Sequence, residues 1–135
     1  FVPRAEGGVD LREAAIVVTA GYGTGGPDGV ALVASLAKAL GGTLGASRPV
    51  VDAGWLPYPH QVGQTGTTVQ PKLYVACGVS GAIQHIVGMQ NSEVIVAINR
   101  DPEAPIFEHA DYAIVADLHE YLPELIRQIK DRAGK

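Results

Sequence analysis

The sequence has few of the residues that mark several common classes of protein. Its single cysteine excludes an internal disulfide framework and fits a reducing compartment. Only 10 Lys and Arg oppose 14 Asp and Glu, and the net charge of −4 argues against a nucleic-acid-binding face. No apolar run approaches the ~20 residues of a membrane span, and no signal peptide is visible. We therefore expect no nucleic-acid partner and no membrane insertion.

Glycine and proline, in contrast, are abundant. The 135 residues include 17 Gly and 9 Pro, most of them between apolar runs, and 47% of the residues are hydrophobic. That composition is typical of a globular protein with shaped loops rather than of a disordered chain. The length predicts a single domain spanning residues 1–135.

Short apolar runs alternate with segments of helical spacing. Strands are predicted over residues 14–20, 43–47, 72–77, 93–99 and 112–117. Helices are predicted over residues 27–40, 80–89 and 118–133, with a single turn over 105–110 and a long irregular segment over 48–71. Strands that alternate with helices indicate βαβ units, and so a parallel sheet covered on both faces.

Polar and glycine residues follow each predicted strand. They are the glycine-rich "GYGTGG", then Ser47 and Arg48, then "GVSG", then Asn99, then Asp117. Because ligands bind at the carboxyl ends of parallel strands, we expect these residues to line one site.

Each of these residues also has a structural interpretation, which the sequence leaves open. The G-x-G-x-x-G spacing after the first strand can be a plain turn rather than a phosphate-binding loop. Ser80 and Asp117 can be helix N-caps, the latter in a capping box with Glu120. Arg48 can be a surface residue, and His85 can be a histidine whose partners lie within the protein.

Neither the cysteine nor the other histidines indicate a metal site. Cys77 has no metal-ligand companion and is best interpreted as a small buried residue. His60, His109 and His119 show no ligand spacing with one another or with Cys77, so no metal is predicted.

The stretch "CGVSGAIQH", residues 77–85, carries the most specific prediction. If a helix begins at Ser80, its first backbone N–H groups point into the crevice and favour an anion there. Gly81 allows a ligand to approach the backbone, and His85 follows on the same helix face. This arrangement suits a ligand with both a negative part and a hydrogen-bonding ring.

Three long segments, residues 45–66, 73–89 and 96–118, closely resemble the FAD-binding domain of the electron-transfer flavoprotein α subunit. The resemblance runs from about Val9 to the C-terminus. It implies a three-layer, mostly parallel, Rossmann-like α/β sheet of six strands, of the deoxyhypusine-synthase-like NAD/FAD-binding type. It further implies that the chain is the C-terminal FAD-binding piece of an α subunit whose N-terminal domain is absent.

The same resemblance implies an electron carrier rather than an enzyme. The carrier would take electrons from dehydrogenases, including those of fatty-acid β-oxidation, and pass them to a quinone-linked oxidoreductase or another acceptor. A β subunit would complete the FAD environment. The expected location is the cytoplasm, or the mitochondrial matrix in a eukaryote.

The resemblance also implies which residues contact FAD. Arg48 would lie beside the isoalloxazine, Thr65 near its N5 and His85 near the carbonyl beside N1, while Asn99 and Asp117 would hold the adenosine end. The full set of implied FAD contacts is Ser47, Arg48, Gln61, Val62, Gly63, Gln64, Thr65, Gly78, Ser80, Gly81, Ala82, Gln84, His85, Asn99, Asp117 and Leu118.

Two positions depart from the family pattern. Tyr22 stands where the family commonly has an arginine, and Thr67 stands where it often has a lysine. Both changes remove positive charge near the cofactor and bear on affinity and potential.

An NAD-dependent enzyme on the same fold, such as a deoxyhypusine-synthase-like transferase or a sirtuin-like deacetylase, is the alternative. A non-redox nucleotide-binding module is another. Against the enzyme, the loops after the strands offer no candidate catalytic lysine, and the sequence has no zinc-binding cysteines.

Overall fold

The computed structural model describes residues 11–133, which form a parallel sheet with helices on both faces. The strands are β1 (Ile16–Ala20), β2 (Thr43–Ala46), β3 (Leu73–Cys77), β4 (Val94–Asn99) and β5 (Tyr112–Val115). The helices are α1 (Pro27–Leu40), α2 (Arg48–Asp52), α3 (Ile83–Met89) and α4 (Leu118–Ala133), with 3₁₀ helices at Tyr22–Thr24, Tyr58–His60 and Pro105–His109. The predicted three-layer α/β arrangement is confirmed.

The strand order is β2-β1-β3-β4-β5, and every neighbouring pair is parallel. The described residues therefore supply five of the six strands that the family resemblance implies. Because the chain leaves β1 toward β2 and later returns to the opposite side of β1 with β3, the connections switch direction between β1 and β3. A crevice at the carboxyl ends of the strands is expected at this switch.

Two apolar cores, one on each face, explain why the strand sequences are continuously apolar rather than alternating. On one face, Val18, Val75 and Ile98 pack against α1, α2 and α4. On the other face, Val17 and Tyr74 pack against α3 and the 3₁₀ helix Pro105–His109. Strands β1, β3 and β4 thus bury residues on both of their faces, as parallel strands do, whereas the edge strand β5 is largely exposed.

The loop after β1 is held tightly against the loop after β3. The Gly21 N–H donates to the Cys77 carbonyl at 2.8 Å, and the Gly23 N–H donates to the Gly78 carbonyl at 2.9 Å. A Cβ atom on Gly21 or Gly23 would collide with the backbone of Gly78. Glycine at these positions therefore lets the two loops meet at the switch point.

The predicted helix start at Ser80 is wrong. Helix α3 begins at Ile83, with Ala82 as its N-terminal flanking residue at φ −57° and ψ 149°. Gly81 has φ +100°, a left-handed conformation that cannot be part of an α-helix. The Ser80–Ala82 segment is therefore a loop along the sheet edge, and Ser80 is not a helix cap.

The segment 48–71 is also more regular than predicted. It contains α2 and the 3₁₀ helix Tyr58–His60. Pro49 occupies the first turn of α2, where its missing N–H costs nothing. None of the helices among residues 11–133 is both long and apolar enough to cross a membrane.

Candidate functional site

A cavity of about 660 Å³ lies at the carboxyl ends of the strands, above the switch between β1 and β3. The loops after β1, β2, β3 and β4 all contribute to its wall. All the predicted site residues line it except Gln64, Asp117 and Leu118. Its volume falls within the range usual for sites of small molecules and cofactors.

Asp117 and Leu118 line a second cavity of about 60 Å³. Gly23, Gly78 and Asn99 line both cavities, so the smaller one extends the larger toward β5. Gln64 lines neither cavity; its backbone N–H donates to the Gln84 carbonyl of α3 at 2.8 Å. The strand-end prediction therefore brings together residues from four strands in one cavity and places those after β5 beside it.

Several residues of the cavity wall were not predicted as site residues. They include Pro49 and Asp52 of α2, and Asp101, Ala104 and Pro105 after β4. The Ile106 N–H donates to the Ser80 carbonyl at 2.9 Å, which draws the 3₁₀ helix Pro105–His109 over the cavity. The "DPEAP" stretch inside the third resembling segment could have indicated the residues after β4, and "RPVVD" inside the first could have indicated those of α2.

The loop that carries Thr65 is fixed by side-chain hydrogen bonds. The Gln61 amide donates to Thr65 Oγ1 at 3.0 Å, and the Tyr58 hydroxyl donates to the Thr65 carbonyl at 2.5 Å. A Cβ atom on Gly88 of α3 would collide with the backbone of Gly63, so the loop also packs closely on that helix. These contacts hold Thr65 in the cavity wall.

Arg48 is both an exposed residue and part of the cavity wall. Its side chain is 62% exposed, and its Nε lies 3.6 Å from Oδ2 of Asp52, one turn later in α2. Ser47, directly before α2, is buried, and its Oγ has no hydrogen-bond partner among residues 11–133. An unpaired buried hydroxyl in a cavity wall is typical of a site that binds a polar ligand.

His85 is buried and hydrogen-bonded inside the protein. Its Nε2 lies 2.6 Å from the hydroxyl of Tyr74, which is completely buried on β3. Burial lowers the pKa of His85 to about 4, and the nearby Val62 backbone opposes this only in part. Burial also raises the pKa of Tyr74 well above its usual range, so both rings are neutral at pH 7.

The Nδ1 atom of His85 has no hydrogen-bond partner among the described residues. The Val62 backbone lies close to it but outside hydrogen-bond geometry. His85 therefore presents a neutral ring to the cavity wall, with one nitrogen engaged by Tyr74 and the other unsatisfied.

The cavity wall includes residues 79–82 and 84, which supply a row of backbone donors. Within the described part of the chain, the N–H groups of residues 79–84 have no protein acceptor in hydrogen-bond geometry. Val79 and Gly81 are buried, whereas Ser80, Ala82 and Gln84 are exposed. Successive free N–H groups are typical of walls that bind anionic or acceptor-rich ligands. The predicted donors are present, but a loop rather than a helix N-terminus supplies most of them.

The two residues predicted for the adenosine end already make structural hydrogen bonds. The Asn99 amide donates to the Val79 carbonyl at 3.1 Å, and its Oδ1 accepts from the Asp101 N–H at 2.9 Å. Asp117 Oδ1 accepts from the His119 N–H at 2.8 Å, so Asp117 caps α4 as predicted. The free lone pairs and protons of these side chains remain available to a ligand.

The site as a whole fits an acceptor-rich organic ligand. The unpaired Ser47 Oγ and His85 Nδ1 and the free N–H groups of residues 79–84 all face or border one cavity. Among residues 11–133, no group of three or more His, Cys, Asp and Glu side chains is arranged to hold a metal ion. These observations fit FAD, which carries a pyrophosphate and two ring systems with acceptor atoms.

Comparison with known proteins identifies the family. Residues 10–90 match the family described as "Electron transfer flavoprotein FAD-binding domain". The chain is 62% identical over 122 residues to the electron transfer flavoprotein subunit alpha of Thermoanaerobacterium thermosaccharolyticum, covering 90% of this chain and 37% of that protein. It is 54% identical over 123 residues to Protein FixB of Clostridium saccharobutylicum, covering 91% of this chain and 37% of that protein.

A further relative has a more specific name. The chain is 55% identical over 126 residues to the acryloyl-CoA reductase electron transfer subunit beta of Anaerotignum propionicum, covering 91% of this chain and 34% of that protein. The matched family and the first of these relatives define the class, that of electron transfer flavoproteins. The chain belongs to the electron transfer flavoprotein α-subunit FAD-binding domain family, and it spans little more than a third of the length of these relatives.

Proposed function

We propose that the chain is the FAD-binding, electron-carrying domain of an electron transfer flavoprotein α subunit. The observation that carries the proposal is that residues from the family-matched segments converge on one cavity lined by unpaired donors. When bound, FAD supplies the one- and two-electron chemistry that amino-acid side chains lack. The protein supplies binding, orientation and electrostatics.

Each part of the wall has a proposed task. Arg48 provides positive charge beside the isoalloxazine, and Thr65, held by Gln61 and Tyr58, offers its hydroxyl near N5. His85 borders the carbonyl beside N1 as a neutral ring held by Tyr74. The free N–H groups of residues 79–84 border the pyrophosphate, and Asn99 and Asp117 hold the adenosine end in the smaller cavity.

The proposal extends to a complete α subunit, of which this chain would be the C-terminal portion. The relatives' names support an electron-transfer role for such a subunit. A β subunit would complete the FAD environment. Dehydrogenases would be the electron donors, and a quinone-linked oxidoreductase or another protein would be the acceptor.

The visible absorption spectrum of the purified chain, before and after incubation with FAD, tests the proposal. We expect flavin bands that remain with the protein after gel filtration. Parallel titrations with FMN and NAD serve as controls, and FAD should bind much more tightly than FMN because Asn99 and Asp117 are proposed to contact the adenosine end, which FMN lacks. A colourless protein that binds NAD in place of FAD would refute the proposal and support the NAD-dependent alternative.

A further inference from the structure

An exposed pair of stacked aromatic rings stands at the edge of the cavity. Tyr22 lies in the 3₁₀ helix after β1, and Trp55 lies shortly after α2. Their ring centroids are 5.0 Å apart and their planes differ by 11°. Tyr22 is 60% exposed and lines the cavity, whereas Trp55 is half-buried against the core that contains α1, α2 and α4. The Trp55 ring is therefore held against the core, and the Tyr22 ring is exposed at the cavity.

The backbone that carries Tyr22 is also fixed. Its neighbours Gly21 and Gly23 both donate hydrogen bonds to the loop after β3. A Cβ atom on either glycine would collide with the Gly78 backbone, so the backbone around Tyr22 lies in close contact with the loop after β3. An exposed tyrosine normally samples several rotamers, but here the stack on Trp55 favours one ring orientation. Tyr22 thus offers the cavity a preorganised flat face.

The geometry points to Tyr22, supported by Trp55, as a residue that stacks against the isoalloxazine ring of FAD. This inference rests on the proposed function. The choice between the two rings of FAD follows from position: Tyr22 lines the cavity and stacks on Trp55, which follows α2, the helix that carries Arg48. The residues proposed for the adenosine end follow β4 and β5 at the opposite side. Electron-rich phenol and indole rings also complement the electron-poor isoalloxazine.

Calorimetric titration of the full chain with FAD and with ADP tests the inference. ADP carries the adenosine and pyrophosphate parts of FAD but lacks the isoalloxazine. We expect Tyr22→Ala to bind FAD about 5- to 30-fold more weakly than the wild type, the range for loss of one aromatic stacking contact, and to bind ADP unchanged. Tyr22→Phe, which keeps the ring, should bind both ligands like the wild type.

Tyr112→Ala is the matched control, because Tyr112 is 64% exposed but lies on β5 away from the cavity wall. It should bind FAD and ADP like the wild type. Trp55→Leu removes the ring that supports Tyr22 but keeps an apolar side chain against the core, and it should weaken FAD binding less than Tyr22→Ala does. Thermal unfolding of each variant establishes that it is folded before titration.

The fluorescence of bound FAD gives a second readout, because a stacked phenol or indole quenches an excited flavin by electron transfer. FAD bound to Tyr22→Ala should be brighter than FAD bound to the wild type or to Tyr112→Ala. Equal FAD affinity and equal brightness for Tyr22→Ala and wild type would overturn the inference. An equal loss of FAD and ADP affinity would also overturn it, since Tyr22 would then serve the adenosine end. Failure of both the wild type and Tyr112→Ala to bind FAD would instead refute the proposed function, and the inference with it.

Discussion

At the scale of single residues, one ion pair contributes opposite charges to the cavity wall. Arg48 and Asp52 lie one helical turn apart on α2, and their side chains are 62% and 66% exposed. Exposed pairs of this kind are worth about 0.2–1 kcal/mol because water screens them. Asp52 therefore offsets part of the positive field that Arg48 directs at the cavity.

We predict that Arg48→Ala lowers the midpoint potential of bound FAD and that Asp52→Asn raises it. Loss of the cation disfavours the added negative charge of reduction, and loss of the anion does the reverse. The shifts should be about 10–40 mV per electron, which corresponds to the energy of an exposed charge. Redox titration of the FAD-loaded chain measures them.

Arg127→Ala on α4 is the control for this pair of variants, since Arg127 is 61% exposed and pairs with Glu124 away from the cavity. It should leave the potential unchanged. An Arg48→Ala protein that keeps both FAD and the wild-type potential would show that Arg48 is only a surface residue.

The protonation of His85 makes the free energy of unfolding depend on pH. Its pKa is about 4 in the folded protein and about 6.5 in an unfolded chain, so between these values the unfolded state binds the additional proton. The free energy of unfolding should therefore be constant above about pH 7 and fall by about 2 kcal/mol between pH 7 and pH 4.5 on account of His85.

Urea unfolding of the wild type and His85→Gln at several pH values isolates this effect, with the exposed His109→Gln as control. The wild type and His109→Gln should lose stability more steeply on acidification than His85→Gln. Equal pH dependence in all three proteins would contradict a buried neutral His85.

For the polar residues that follow strands, the sequence predicted their place in or beside the cavity wall, because the carboxyl ends of parallel strands converge. Their contact with FAD stays a prediction. It could not predict the Tyr22–Trp55 stack, the Tyr74–His85 hydrogen bond or the engagement of Asn99 by Val79. Those contacts join residues 11 to 33 positions apart, and only the folded chain brings them together. The sequence pattern indicates which side chains lie along the sheet edge but not which residues they stack on or hydrogen-bond with.

At the scale of secondary-structure elements, the two long helices and the single turn over residues 105–110 were predictable, whereas the bounds of the short helices α2 and α3 were not. The predicted ranges of α1 and α4 match those observed, because each has apolar residues at helical spacing over about four turns. Helix α3 has only 7 residues, and its predicted start ignored the left-handed Gly81. Helix α2 was missed because a five-residue helix carries too little periodicity to be recognised.

Gly81 determines where the Pro105–His109 helix lies, and we predict that Gly81→Ala is more destabilising than Gly54→Ala. Both glycines have left-handed backbones, φ +100° and +80°, so both substitutions incur the same strain of about 1–2 kcal/mol. A Cβ atom on Gly81 would in addition collide with the Ile106 backbone, whereas one on Gly54 meets nothing within 4 Å. The extra destabilisation should be about 1–3 kcal/mol, measured by chemical denaturation.

The same pair of variants separates stability from binding. Gly81→Ala should also weaken FAD binding, because Ala104 and Pro105 of the cavity wall must move with Ile106. Gly54→Ala should bind FAD normally. Similar stability and affinity in the two variants would show that the 3₁₀ helix does not depend on close contact with Gly81.

At the scale of the whole molecule, the site is a cleft at one edge of a sheet, and this chain spans little more than a third of its relatives. We predict that FAD bound to this chain alone is accessible to solvent and accepts electrons poorly from acyl-CoA-type dehydrogenases. Addition of the β subunit together with the remainder of the α subunit should restore transfer. Stopped-flow reduction measures the rate, with free FAD as the baseline. Full transfer by the chain alone would contradict this prediction.

The chain's single thiol belongs to Cys77, at the end of the strand β3 that pairs with β1. Cys77 ends β3, its carbonyl accepts the Gly21 N–H at 2.8 Å, and its side chain has no exposed surface. Burial raises the pKa of Cys77 to about 12, so the reactive thiolate is almost absent at neutral pH while Cys77 remains buried.

Cys77 consequently reports how often the core around it opens. With excess thiol reagent, modification should proceed only as fast as the core that packs on Cys77 opens, and saturation with FAD should slow it in proportion to the free FAD concentration over its dissociation constant if that opening prevents FAD binding. A mass-spectrometric time course in native buffer, compared with one in urea, measures this rate without any engineered label. Rapid modification in native buffer would reveal that this core opens locally while the rest of the protein remains folded.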